Sequence, residues 1–142
     1  MAIRHRISPT LRRALAIEAA YACSYCRSPA LAGVAMAVDH IIPLARGGSH
    51  GRGNLCQACY RCNEFKGPLI QAVDPLTEQI VALYHPKTQI WAEHFAWSSD
   101  GLQILGLTAH GRTTVAALRM NDPWVMRARQ IWILAGIHPP LN

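Results

Sequence analysis

The sequence predicts an α+β fold in which a metal-clamped strand–strand–helix unit is followed by a β-hairpin and two helices. Three observations predict it. Two Cys-x2-Cys pairs, Cys23-Ser-Tyr-Cys26 and Cys59-Tyr-Arg-Cys62, frame the first half of the 142-residue chain. Around the second pair the residues read as two short strands and a helix. Beyond Asp74-Pro75 the composition changes: all five cysteines lie before that point, and all four tryptophans, Trp91, Trp97, Trp124 and Trp132, lie after it. The expected division is a unit over residues 1–72 and an extension over residues 73–142.

The elements follow in order. Ser8 reads as an N-cap with Pro9 at the first helical position, and Leu11, Leu15, Ile17 and Glu18 carry a helix on to near Ala22. Val34 to Ile42 is apolar and β-permissive, and Pro43 with Gly47-Gly48 closes it, so a strand runs into a loop. A second strand starts near Asn54-Leu55. No breaker interrupts Cys59 to Lys66 until Gly67-Pro68, which fits a short helix. Asp74-Pro75 marks a turn and a boundary. Phe95–Trp97 and Leu102–Leu107 flank Ser98-Ser99-Asp100-Gly101, a hairpin signal. Thr108 caps a helix to Met120, and a last helix has Asp122 as N-cap, Pro123 at its first position and Gly136 as its stop. Within it Trp124, Ala128, Ile131, Trp132 and Ala135 recur at helical spacing and are expected in the core.

Composition narrows the function classes. A hydrophobic share of 51% supports a packed core, and ten glycines with nine prolines are too few for a collagen-like or low-complexity chain. The longest apolar run, Ala30 to Val38, is nine residues, where a membrane-spanning helix needs about 20. Met1 to Leu11 carries Arg4 and Arg6 with no apolar stretch behind them, so no secretory leader and a cytoplasmic setting are expected. Fourteen Lys plus Arg against eight Asp plus Glu give a net charge of +6, and only Lys66 and Lys87 are lysines. An arginine fork grips phosphate in two places, so this balance leans toward nucleic acid, with a merely basic surface as the alternative.

In a reducing compartment, closely paired cysteines are metal ligands more often than disulfides. Cys23, Cys26, Cys59 and Cys62 supply the tetrahedral sulfur cage of a structural zinc, which leaves no open position for chemistry. Two disulfides are the alternative. The 32 residues between the pairs exceed the roughly 15–20 of a simple zinc ribbon, so a further structure is built between them. The fifth, Cys56, could replace Cys59 as a ligand, but is expected to be a small buried apolar residue.

Between and around the pairs stand Asp39-His40-Ile41-Ile42-Pro43, Gly47-Gly48, Asn54-Leu55, Cys62-Asn63 and Lys66-Gly67, in that order. From about Cys23 to Gly67 this arrangement resembles the HNH endonucleases, the ββα-metal nucleases. The tail resembles the C-terminal part of small stand-alone bacterial members. The residues can also be read for their chemistry. Hydrolysing a phosphodiester needs a water made nucleophilic near neutral pH, and His40 is the candidate general base. Charge developing on the leaving oxygen is absorbed by a divalent cation, and Asp39 and Asn63 offer the hard oxygen donors that favour magnesium or manganese. Neighbours on a regular strand point to opposite faces, so Asp39 or His40 must sit where the strand breaks.

The resemblance implies the same roles, adds Asn54 as the residue that braces the loop and orients His40, and implies products with a 5′-phosphate and a 3′-hydroxyl. Many members carry histidine where this chain has Asn63, a common variant. Arg46, Arg52, Arg61 and Lys66 surround the expected centre and are read as contacts to the phosphates of double-stranded DNA. His50 is read as a loop residue, and His85, His94 and His110 as having no site-like spacing. Arg112, Arg119, Arg127 and Arg129 could extend the DNA-facing surface. The rival reading is a non-catalytic, zinc-finger-like module that binds nucleic acid.

Overall fold

A computed structural model of the chain describes residues 7–140. Arg4 and Arg6, and with them most of the segment read for a leader, lie outside the described residues. Helix α1 (Pro9–Glu18) begins as its cap predicts, Ser8 Oγ accepting from the Leu11 amide at 3.1 Å. It stops at Glu18 and not near Ala22, because Ala20 and Tyr21 take left-handed backbone conformations that end the helix.

Strand β1 (Met36–His40) pairs antiparallel with β2 (Leu55–Cys59), placing Asp39 opposite Cys56 and His40 opposite Leu55. Helix α2 (Tyr60–Lys66) follows without a loop. Cys59 is at once the end of β2 and the N-cap of α2, its Sγ accepting from the Cys62 amide at 3.4 Å. This is the expected strand–strand–helix unit. The turn after β1 needs its two glycines for separate reasons. Gly47 has φ +87°, and a Cβ on Gly48 would collide with the Ile42 carbonyl.

A hairpin of β3 (Gln71–Val73) and β4 (Ile80–Ala82) was not expected. Asp74-Pro75 forms its turn, and the expected division at residues 72/73 falls inside β3. Asp74 is buried and takes Nε and Nη2 of Arg112 at 3.1 and 2.9 Å, a pairing that holds its carboxyl well below the usual carboxylate range. Next come α3 (Trp91–His94), β5 (Phe95–Trp97), β6 (Ile104–Gly106), α4 (Ala109–Ala117) and α5 (Pro123–Leu134). Strands β5 and β6 form the expected hairpin, and Thr108 and Asp122 cap their helices as expected. One hydrophobic core joins the halves: the sulfur-bearing residues, Tyr25 and Ile41 pack with Leu83, Tyr84, Trp91, Phe95, Ile104, Leu118 and Met120.

The apolar stripe of α5 is a correction. Trp124 is 79% exposed, and Ile131 and Ala135 are exposed too, while Ala128 and Trp132 are only half-buried. The helix buries the neighbouring face instead, through Val125 and Arg129. Arg129 goes inside because its guanidinium satisfies stranded carbonyls, donating to Leu102 O at 2.7 Å and Met120 O at 2.6 Å, and lies over the Trp97 ring. It therefore cannot belong to a DNA-facing surface. Apolar residues on more than one side of α5 left the periodicity ambiguous. No described helix is long and apolar enough to cross a membrane.

Candidate active site and metal centre

The first Cys pair sits on a turn after α1, where Arg27 has φ +65° and donates its amide to Cys23 O at 3.0 Å. The second pair spans the β2–α2 junction. In each pair the second cysteine's amide donates to the first sulfur, Cys26 N to Cys23 at 3.5 Å and Cys62 N to Cys59 at 3.4 Å. The four sulfurs lie within 4.8 Å of one another, all buried, and all five cysteines are free thiols, so the disulfide alternative does not apply. Burial pushes the Cys23 thiol well up, whereas hydrogen bonding from Cys23 draws Cys26 down. Such a cluster resists carrying four negative charges alone and could hold a divalent metal ion, a donor set that suits zinc. Cys56 stays outside it. Burial pushes its thiol up to about 12, the state of an inert core residue.

Asp39, His40 and Asn63 line one open cleft of about 400 Å³, together with Val38, Pro43, Leu44, Gly67 and Pro68. His40 is the last residue of β1, where the chain turns toward Pro43, so it can share the cleft with its strand neighbour. Asn54 spans the intervening loop. Its Oδ1 accepts from Ile42 N at 2.8 Å, and its Nδ2 donates to the carbonyls of Ile42 and Ser49, each at 2.9 Å.

Asp39 is 4% exposed and approached from two sides. Tyr25 Oη donates to Oδ2 at 2.6 Å, and Lys66 Nζ stands 3.2 Å from both oxygens while also donating to His40 O at 3.1 Å. Burial pushes the carboxyl above its usual range, against the opposing pull of Lys66 and Tyr25. Oδ2 also takes Cys56 Sγ at 4.0 Å, so it is approached by Tyr25, Cys56 and Lys66, whereas Oδ1 meets Lys66 alone and keeps a lone-pair direction for a further ligand. The Asn63 side chain makes no hydrogen bond among the described residues, which leaves its amide oxygen able to accept one.

Lys66 departs from its expected place. It is 1% exposed and inside the molecule, so it does not present its charge to a phosphate. Breaking a buried ion pair by removing one partner costs about 3–5 kcal/mol. Lys66→Met is accordingly expected to lose that much stability, read from the urea midpoint. A variant as stable as wild type would show that the pair contributes nothing net. Of the other basic residues, Arg46 is exposed, Arg52 pairs with Glu18 at 3.0 Å, and Arg61 pairs with Asp122 at 3.2 Å.

Two residues of this site were not picked out from the sequence. Tyr25 lies inside the first Cys pair, where nothing distinguishes it from filler. Its backbone carbonyl takes Trp91 Nε1 at 2.8 Å, so the C-terminal half buttresses the side chain that holds Asp39. His50, read as a loop residue, has its Nδ1 3.1 Å from His40 Nε2.

Residues 23–68 match the family model described as HNH endonuclease. No curated protein and no solved structure matches the chain. The matched segment runs from the first cysteine of one pair to just past α2, and so contains the four sulfurs, the cleft residues and the bracing asparagine. The chain thus carries, at residues 23–68, a domain of the HNH endonuclease family.

Proposed function

We propose that the protein is a metal-dependent endonuclease that hydrolyses phosphodiester bonds of DNA. The observation that carries this reading is the convergence of Asp39, His40 and Asn63 on one open cleft. His40 acts as general base toward water, and Asp39 with Asn63 holds one magnesium or manganese ion. When bound, that ion acts as a Lewis acid on the phosphoryl group and the leaving oxygen. The four-cysteine centre holds zinc and serves only as scaffold. Residues 73–142 form an extension packed on the nuclease unit, and the protein works in the cytoplasm.

The substrate is double-stranded DNA, gripped through phosphates by Arg46 first. Arg52 and Arg61 can join, since exposed ion pairs such as Arg52–Glu18 are worth little and exchange readily. Binding therefore weakens as salt rises. Supercoiled plasmid incubated with magnesium or manganese is expected to be nicked or linearised, leaving 5′-phosphate and 3′-hydroxyl ends, and chelator is expected to stop the reaction. Plasmid left intact with both metals would overturn the reading. A second reading, a zinc module that binds nucleic acid without cutting it, draws on Lys66, which already counters the charge of Asp39. It predicts salt-sensitive retention of DNA with no cleavage under any metal.

A further inference from the structure

Helices α2 and α5 enclose an apolar groove of about 320 Å³ that the chemistry at Asp39 and His40 does not use. Tyr60 and Arg61 of α2 line it on one side, and Trp124, Ala128 and Trp132 of α5 on the other. One residue clips the two helices together. Arg61 Nη2 stands 3.2 Å from Oδ2 of Asp122, the N-cap of α5, and donates to Arg119 O at 3.4 Å. Tyr60 N donates to Ala35 O at 3.2 Å, which joins the segment before β1 to the same groove. Tyr60 and Trp124 are 60% and 79% exposed, so two aromatic side chains stand in solvent at one groove.

The groove is continuous with the candidate active site. Val38 and Asn63 line both the cleft of Asp39 and a second cleft along α2. Tyr60 lines that second cleft and the groove, and Trp124 lines the groove and a further cleft on α5. Tyr60 and Asn63 are three residues apart and share one face of α2, about 4.5 Å apart along its axis. A strand whose phosphate lies at Asp39 and Asn63 therefore has Tyr60 within one helical turn. The charges along this path suit a polyanion. Among the described residues lining the groove and the two clefts beside it, Arg12, Arg61 and Arg127 are cationic and only Glu64 is anionic. Aromatic walls with a cationic rim fit a nucleic-acid strand better than an apolar protein segment, which has no use for the arginines.

Inside a duplex both faces of a base are covered by its neighbours, so a surface aromatic can stack only on a base that has left the helix. We propose that the groove between Tyr60 and Trp124 seats an unpaired base, which makes the substrate a duplex joined to a single-stranded segment. The duplex is held through its phosphates at the cleft, and the single strand leaves along α2. This deepens the nucleic-acid reading and rests on it.

The test uses the zinc-loaded full chain with no other divalent cation added, so that binding is read without cutting. Fluorescence anisotropy compares one duplex carrying a short single-stranded tail with the same duplex whose tail has abasic sites, an equal charge without bases. Tails on the 5′ and the 3′ end are measured in turn. On one of the two ends the base-bearing tail is expected to bind roughly 5–150-fold tighter than its abasic counterpart, the usual value of stacking one base on an aromatic side chain. Trp124→Ala and Tyr60→Ala should each reduce that ratio severalfold, whereas Trp124→Phe keeps most of it. Trp124 is a largely exposed residue, and an unaltered melting temperature checks that its variants stay folded. Tails bound equally on both ends, or not at all, would overturn the proposal, as would a ratio that both alanine variants retain. A wild-type dimer in sedimentation that Trp124→Ala dissolves would overturn it too, since a second copy would then cover the groove. Plasmid cleavage without a base preference leaves the nuclease reading standing and this proposal refuted; the preference without cleavage does the reverse.

Discussion

Replacing His40 with alanine is expected to lower plasmid cleavage by about 10²–10⁴-fold, the usual contribution of a positioned acid–base group. The fold should survive the change. His40 ends β1 and is only half-buried, and the turn beyond it is held by Asn54 and by the Ile41 amide donating to Asn54 O at 2.9 Å, neither of which uses the imidazole. The melting temperature and zinc content of the variant should therefore stay close to wild type. If cleavage persisted at the wild-type rate in a folded variant, His40 would not be the base.

The larger effect on stability is expected at the sulfurs. Cys62→Ser, or zinc removal by a strong chelator, takes away a centre that links the turn after α1 to the start of α2. Structural zinc sites of this kind carry apparent binding free energies of about 10–16 kcal/mol at neutral pH. Cys23, Cys26, Cys59 and Cys62 belong to the same core as Trp91, Phe95 and Met120, so the loss spreads into the C-terminal half. The expected result is disappearance of the cooperative thermal transition, followed by the fluorescence of the buried Trp91. Because the thiols must release protons to bind metal, apparent zinc affinity should fall as pH falls. An unchanged melting temperature after complete zinc removal would show that the sulfur cluster is dispensable.

The parts of this molecule that were readable from the sequence are those governed by short-range chemistry. Ser8-Pro9, Thr108 and Asp122-Pro123 mark helix starts because the cap and proline act on their own backbone. The Cys spacing likewise constrains its own turns. What escaped were the outcomes of long-range competition. Asp74-Pro75 looked like a boundary, yet the same turn chemistry serves the β3–β4 hairpin, and Arg112 ties it to α4 from 38 residues away. Arg129 looked like a surface base until its guanidinium met the carbonyls of Leu102 and Met120. Lys66 illustrates the limit at the candidate site. A lysine at the end of a short helix reads as solvated charge, and only the packing of α2 on the hairpin turns it toward Asp39. His50 could not be linked to His40 from spacing, because the loop path that brings them together depends on the Asn54 side chain, which accepts from Ile42 N and donates to the carbonyls of Ile42 and Ser49.

In the proposed nuclease, Asp39 and Asn63 share one cation beside His40, on a scaffold held by zinc elsewhere. Anomalous-scattering maps from a crystal soaked in manganese test it most directly, with data collected at the manganese and zinc edges. Zinc is expected among the four sulfurs and manganese at Asp39 and Asn63. Zinc among the sulfurs with no manganese at that cleft, in crystals that still admit the ion, would contradict it.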